Sequence, residues 1–445
     1  MKSLLFAMSF VCAVTDVNAQ PPSSVPASRV PASQSGPPLE LGALHRAAEA
    51  ADPRVREVEL LQQQWVLRDQ NVSVLRRPSL GVESLGQYQS DVPVSPFLSP
   101  TGIPLFEAPK ATFDSYLRVE QRLFDPTLTP QAALQRAQLA EDQARVHSAV
   151  YPIRQQVNDA FFAVAALDQR VGVLTAASAE LDARLRETAA RVREGTAVPA
   201  EAAAIEASLL QRQQEEDELR TNRGAAVTRL SLVVGRPIES TAVPVLPDLS
   251  DVARRAREQG TSTKTRPEFA QFARTRERLQ RQRDAVVTQT QPRLTAYGRV
   301  GYARPGLNFI ADEFDTYGLG GIRLQWNAWS WGTPTREAQL VTLQADIVSA
   351  EEAAFVRGLD QAVATDVATI DRLERALTTD SRIIELRAEV ERAARVRLQE
   401  GVLTAADYVA RESELLQARF AQASHQVELA QARARLLTTL GVEVP

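Results

Sequence analysis

Residues 397–409 read Arg397-Leu398-Gln399-Glu400-Gly401-Val402-Leu403-Thr404-Ala405-Ala406-Asp407-Tyr408-Val409, a helical run stopped by one glycine and restarted within a few residues. A glycine can take positive φ there without steric cost, ending one helix and turning the chain back into the next. An earlier stretch, Arg193-Glu194-Gly195-Thr196-Ala197-Val198-Pro199-Ala200-Glu201, has the same form. Shifted by 206 positions without a gap, Arg191, Glu194, Gly195, Ala200, Ala204, Glu206, Leu209, Leu210, Gln211, Ala226, Arg229, Leu230 and Gly235 fall on Arg397, Glu400, Gly401, Ala406, Ala410, Glu412, Leu415, Leu416, Gln417, Ala432, Arg435, Leu436 and Gly441. Chance matches a few Ala and Leu, but not both glycines bounding one helix. The chain therefore reads as an internal tandem duplication.

Working outward, each turn is preceded by a long helical stretch, 130–194 and 335–400, dense in Ala, Gln, Arg, Leu and Glu. The first has only Pro152 and Gly172 as interior breakers. At 1.5 Å per residue it would reach roughly 95 Å, far beyond an ordinary globular helix, which implies a coiled coil or a helical barrel. Each turn is followed by a shorter helix, 200–234 and 405–440, stopped by Gly235-Arg236-Pro237 and by Gly441. Ahead of each long helix lie two segments of alternating apolar and polar residues, 78–88 with 112–124 and 293–302 with 314–326. The first pair is separated by a loop carrying Pro93, Pro96, Pro100, Pro104 and Pro109, and Phe113-Asp114-Ser115-Tyr116 recurs as Phe314-Asp315-Thr316-Tyr317. Period two predicts strands, although a soluble sheet would give the same alternation. Helices over 39–75 and 252–287 open the two halves, so the repeats span 39–240 and 241–445. The fold class expected is mainly α with a small β part.

Composition narrows the function classes. The 445 residues carry 51 Lys+Arg against 55 Asp+Glu, a net charge of -4 with the signs interspersed, and no basic stripe for a phosphate backbone, so nucleic acid is not an expected partner. Residues 1–19 read as a signal peptide, with Lys2, an apolar stretch from Leu4 to Val14 and a small-residue site at Val17-Asn18-Ala19. Residues 20–38 form a Pro/Ser-rich flexible lead-in. Cleavage after Ala19 would remove Cys12, Met1 and Met8, and with them every sulfur atom, excluding thiol catalysis and soft-metal sites. Cys12 sits within the apolar stretch, without the small residues that a lipid-attachment box would place before it. His45, His147 and His425 lie on separate helices without ligand-spaced partners, and no phosphate loop or nucleophile elbow is present. An enzyme is not expected, nor a cofactor or metal. No run of 18 or more consecutive apolar residues follows the leader, so the chain could span a membrane only as a closed β-barrel. Four strands are too few to close one, since membrane barrels have eight or more. Three copies would supply twelve.

Over nearly all of the chain after residue 39, this order resembles the TolC family of outer-membrane channel proteins, the outer-membrane factors. The turn after Gly401, with Asp407 six residues on, is its most specific element. The resemblance implies a homotrimer with a 12-stranded barrel in outer-membrane lipid, continued into the periplasm by a long α-helical barrel. It also implies a passive exit duct for a tripartite efflux or type I secretion system, opened by a periplasmic adaptor (membrane fusion protein) and energised by an inner-membrane transporter. Carried over residue by residue, Gly195, Thr196, Ala197, Val198, Gly401, Val402, Leu403 and Thr404 form the tip turns that receive the adaptor. Asp407 and its counterpart Glu201 would build the acidic periplasmic constriction. Ala410 stands where some members carry a second acid and Leu403 where some carry a base that ties neighbouring helices, and an acid in a first helical turn is also explained by the helix dipole.

Given a barrel, Leu80, Val82, Leu117, Val119, Leu294, Ala296, Val300, Ile322 and Leu324 would face lipid. Glu83, Gln87, Arg118, Glu120, Arg122, Arg299, Arg323 and Gln325 would line water. Trp326, Trp329 and Trp331 would form an aromatic girdle or, alternatively, pack at the junction of barrel and tunnel. A periplasmic coiled-coil adaptor or structural protein is the competing reading. It accounts for the helices but leaves the strand pairs and tryptophans unexplained.

Overall fold

In the computed structural model of the chain, residues 37–97, 99–102, 106–308 and 312–445 are described, with Ser262 and Thr263 described by backbone alone. The expected signal peptide with Cys12, and the lead-in up to residue 36, lie outside the described residues.

A two-residue strand β1 (Pro38–Leu39) leads into α1 (Leu41–Ala51) and α2 (Val55–Val74). Then come β2 (Ser79–Tyr88), β3 (Ala111–Phe124), α3 (Leu128–Val150), α4 (Ile153–Arg193) and α5 (Pro199–Val234). After β4 (Val243–Pro244) follow α6 (Ser250–Gln259), α7 (Pro267–Thr288), β5 (Arg293–Arg304), β6 (Asp315–Gln325), α8 (Thr333–Gln399) and α9 (Ala405–Leu440). The four long strands make one antiparallel sheet in the order β2-β3-β5-β6, while β1 pairs in parallel with β4. Strong helix formers fill the rods, and proline opens α5, α7 and α8, where its missing N–H costs nothing.

Three helices expected to be continuous are divided. The stretch 39–75 breaks at Asp52-Pro53, between α1 and α2. The stretch 130–194 breaks at Tyr151-Pro152. Both residues keep helical dihedrals, and the hydrogen-bond ladder is interrupted because Pro152 has no N–H to offer. The stretch 252–287 breaks at a 3-10 turn over Gly260–Thr263 and at Lys264, which has a φ of 45°, before Pro267 starts α7. Mean hydropathy, as opposed to an unbroken apolar run, marks the span Leu128–Arg193 as long and apolar enough to cross a bilayer. Its Val157, Phe161, Phe162 and Val164 are instead buried in the main core.

That core gathers Leu41 and Leu44 of α1, Leu230 and Val234 of α5, Ala253 of α6, Ile370 and Leu373 of α8, and Leu436 and Leu437 of α9. His45 is buried there, its Nε2 2.8 Å from Asn158 Oδ1, and burial lowers its pKa. His425 Nδ1 lies 2.6 Å from Asp380 Oδ2, while His147 is exposed. Among the described residues no group of His, Cys, Asp and Glu is placed to hold a metal.

Candidate functional site

Two regions carry the candidate residues, at opposite ends of α8. With 67 residues, α8 separates Trp331 from Gly401 by about 100 Å.

At the sheet end, the register sorts the strands into two chemically distinct faces. Leu80, Val119, Gly298 and Gly320 lie in one row, with Val82, Leu117, Val300 and Gly318 in the next. Ala296 with Ile322 and Leu294 with Leu324 continue the same face. All nine residues expected on the apolar side thus share one face, and it is uncovered: Leu80 is 70% exposed and Val82 74%. A second aromatic cluster, which the sequence reading missed, closes this face at its far end. Tyr302 stacks on Phe314 with ring centroids 5.2 Å apart, and Phe113 meets Phe314 edge-on at 6.2 Å. The near end holds Trp326, Trp329 and Trp331, all more than 60% exposed. Trp329 and Trp331 meet edge-on at 5.8 Å, and Trp326 Nε1 donates to the Thr290 carbonyl at 3.0 Å.

The opposite face is a network of arginine, tyrosine and carboxylate. Arg118 pairs with Glu83 at 3.1 Å, and Arg299 sits over the Tyr116 and Tyr317 rings at 4.9 and 5.4 Å. Tyr317 donates its hydroxyl proton to Asp114 at 2.7 Å, and Tyr116 donates to Glu83. Gly301 makes this possible, since a Cβ there would come within 2.7 Å of Tyr116 Cβ and 2.9 Å of Tyr317 Cε1.

At the other end, the two turns are built alike. Gly195 and Gly401 have φ of 75° and 74°, and nothing lies within 4 Å of a Cβ added to either, so conformation alone requires glycine. Gly195 N donates to Val192 O and Thr196 N to Arg191 O. Gly401 N donates to Leu398 O and Val402 N to Arg397 O, the paired bonds that close a helix on a left-handed residue. Side chains join the turns: Arg191 reaches the Leu398 carbonyl at 3.2 Å, and Gln399 donates to Glu187 at 3.0 Å. Thr196, Val198, Val402 and Thr404 are exposed and Ala197 is half-buried, whereas Leu403 packs inward against the core below the turns. Thr404 caps α9, accepting from Asp407 N at 3.2 Å and donating to Asp407 Oδ2 at 2.7 Å. Asp407 is exposed in that cap, and Glu201 is half-buried in the first turn of α5.

Beneath the turns lies a polar core with no clear mark in the sequence. Tyr408 is fully buried among Leu181, Ile205, Leu209, Ala394 and Leu398, and its hydroxyl donates to Glu391 at 3.1 Å with Arg184 alongside. Burial, followed by the Glu391 carboxylate, pushes the Tyr408 hydroxyl up to about 12. Deeper still, Arg212 of α5 and Glu412 of α9 form a buried bidentate ion pair. The one advance signal was that Glu206 and Glu412 coincide in the repeat.

No protein-family model matches the sequence, and no curated protein matches it significantly. Solved structures do match the fold. The outer-membrane protein VceC from Vibrio cholerae is 16% identical, with a TM-score of 0.61 over 90% of this chain and 96% of its own. The outer-membrane channel MtrE of Neisseria gonorrhoeae is 17% identical, with a TM-score of 0.61 over 91% and 89%. The outer-membrane channel CmeC of Campylobacter jejuni is 11% identical, with a TM-score of 0.58 over 95% and 94%. The chain therefore has the fold of these outer-membrane channel proteins, the fold that its resemblance to the TolC family implies.

Proposed function

We propose that the chain is a duplicated outer-membrane channel subunit, three copies of which close a 12-stranded barrel continued by a periplasmic helical tunnel. The uncovered apolar face of the sheet carries this reading. Seven side chains, Leu80, Val82, Leu117, Val119, Val300, Ile322 and Leu324, are 41–74% exposed and would together forgo on the order of 10 kcal/mol in water. That is comparable to the whole net stability of a domain, about 5–15 kcal/mol, so the face needs a cover. A soluble sheet buries its apolar side against helices, and here the helices leave it bare.

Lipid fits the dimensions. From Phe314 to Trp326 the strand covers about 40 Å at ~3.3 Å per residue, or about 30 Å along the normal at the tilt usual for barrels. The edges of β2 and β6 are then joined by neighbouring copies. Exposed stripes at heptad spacing, Leu60, Leu67 and Val74 on α2 and Leu340, Leu343 and Ile347 on α8, offer seams for the helices of the next copy. The tunnel is a passive duct for efflux or type I secretion. The turns at Gly195 and Gly401 receive a periplasmic adaptor, an inner-membrane transporter supplies the energy, and threefold Asp407 and Glu201 make an acidic mouth. The tryptophans anchor the barrel at one membrane interface and the Phe113, Tyr302 and Phe314 cluster at the other.

The purified protein is expected to fractionate with the outer membrane, to run as a detergent-resistant trimer and to conduct in planar bilayers. A stable, water-soluble monomer would overturn the reading.

A further inference from the structure

Where the polar face of the sheet meets the helices, a cavity of about 330 Å³ lies between the end of α2 and the residues that lead into α3. Arg77, Arg122, Arg293 and Arg323 line it, against two carboxylates, Glu120 and Asp125. The register explains the convergence. Arg122 and Arg323 flank Thr295 from either side, and Arg293 follows two residues along the same face.

Both carboxylates are already engaged. Asp125 accepts from the Thr127 amide at 3.1 Å and hydroxyl at 2.6 Å, and pairs with Arg122 at 2.9 Å. Glu120 is shared between Arg118 at 3.8 Å and Arg323 at 3.9 Å. The Arg323 guanidinium carbon also lies over the Tyr297 ring, 4.9 Å from its centroid. Among the described residues, no ion pair engages Arg77 or Arg293.

We propose that this cavity binds an oxyanion, a phosphate or sulfate group borne by a soluble solute, with Arg77 and Arg293 as its free donors. Guanidinium groups present forked N–H donors that match phosphate and sulfate oxygens two at a time. Four of them on one concave wall repel one another until an anion neutralises the surplus charge. A lipid phosphate has the same chemistry, but the cavity opens on the face opposite Leu80, Ile322 and Leu324. If the chain is the channel subunit proposed above, three such sites would ring the pore.

The test titrates inorganic pyrophosphate into the detergent-solubilised full chain by calorimetry at low ionic strength. Saturable binding near one per chain is expected. The double variant Arg77→Gln/Arg293→Gln should weaken it at least about tenfold, the order set by losing two charge-assisted donors. The control Arg186→Gln/Arg254→Gln removes the same net charge from exposed helix surfaces and should leave binding unchanged. Neither Arg77 nor Arg293 leaves a carboxylate stranded when replaced, and retention of the wild-type oligomer on gels verifies folding. Absence of saturable binding, equal loss in the control, or displacement of pyrophosphate by anionic phospholipid micelles would each overturn the proposal. Bilayer conductance is read separately. Binding without current would refute the channel and leave the site standing, and current without binding would refute the site alone.

Discussion

Arg212 and Glu412 join α5 to α9 through a bidentate pair whose side chains are 6% and 5% exposed. Replacing Glu412 by glutamine keeps the shape and one acceptor but leaves a buried guanidinium without its counter-ion. Breaking a buried pair in this way costs about 3–5 kcal/mol. The low end applies here, because Arg212 also lies 3.5 Å from the Ala177 carbonyl and the new amide oxygen would still accept a bond. Replacing both partners, Arg212→Met with Glu412→Leu, removes both desolvation costs and should restore wild-type stability or exceed it. The surface pair of Arg186 and Asp182 on α4, 72% and 44% exposed, is the internal reference, and Asp182→Asn should cost no more than about 0.5 kcal/mol. Urea titration of the purified protein, followed by loss of helical circular dichroism, ranks the variants by midpoint at a common slope. If Glu412→Gln moves the midpoint no further than Asp182→Asn, or if the double variant is worse than either single, the pair is not a desolvated clamp and the reasoning fails.

Gly401→Ala should cost about 1–2 kcal/mol through its φ of 74° alone, since no atom lies near the new Cβ, and Gly401→Asn should cost less. Equal losses in urea midpoint would show that φ is not the constraint. Gly401→Val should abolish adaptor-dependent export while leaving the trimer in the membrane. Leu80→Arg, in the middle row of the apolar face, should cost about 2–4 kcal/mol and deplete the gel-resistant trimer. Gln87→Arg, on the opposite face, should assemble normally. Burial raises the Asp366 carboxyl above its ordinary value of 3.8, so the folded chain holds that proton more tightly than the unfolded one. The resulting stability is complete below pH 3.8 and is lost as pH rises through the folded value, leaving a cost at neutral pH. Asp366→Asn should therefore raise the melting temperature at pH 7, keep the bond from Thr439, and give no gain at about pH 3.5.

Much of the framework was legible in the residues. The glycines at 195 and 401 end long helices because positive φ is a local property, and the alternation from 112 to 124 marks a strand because side chains alternate at period two. The helix breaks were harder to read. Pro152 interrupts a ladder without turning the backbone, and Gly260 with Lys264 divides a segment whose composition stays helical throughout. At the tips, Asp407 follows a cap pattern that local spacing announces. Tyr408 has no polar partner within its own helix, and its role was invisible until α8 brought Glu391 beside it and α4 brought Arg184.

The sequence by itself determined that the long helices stop at Gly195 and Gly401, which strand residues alternate, and that two glycine-bounded turns share one pattern, because these depend on dihedral preferences within a few residues. Only the tertiary structure decided that the apolar side of the sheet is the bare one, that Arg212 and Glu412 meet across 200 positions, and that Arg77 and Arg293 converge on a cavity whose two carboxylates are paired with other arginines. Burial and charge pairing depend on which distant element comes alongside, and that is settled by packing.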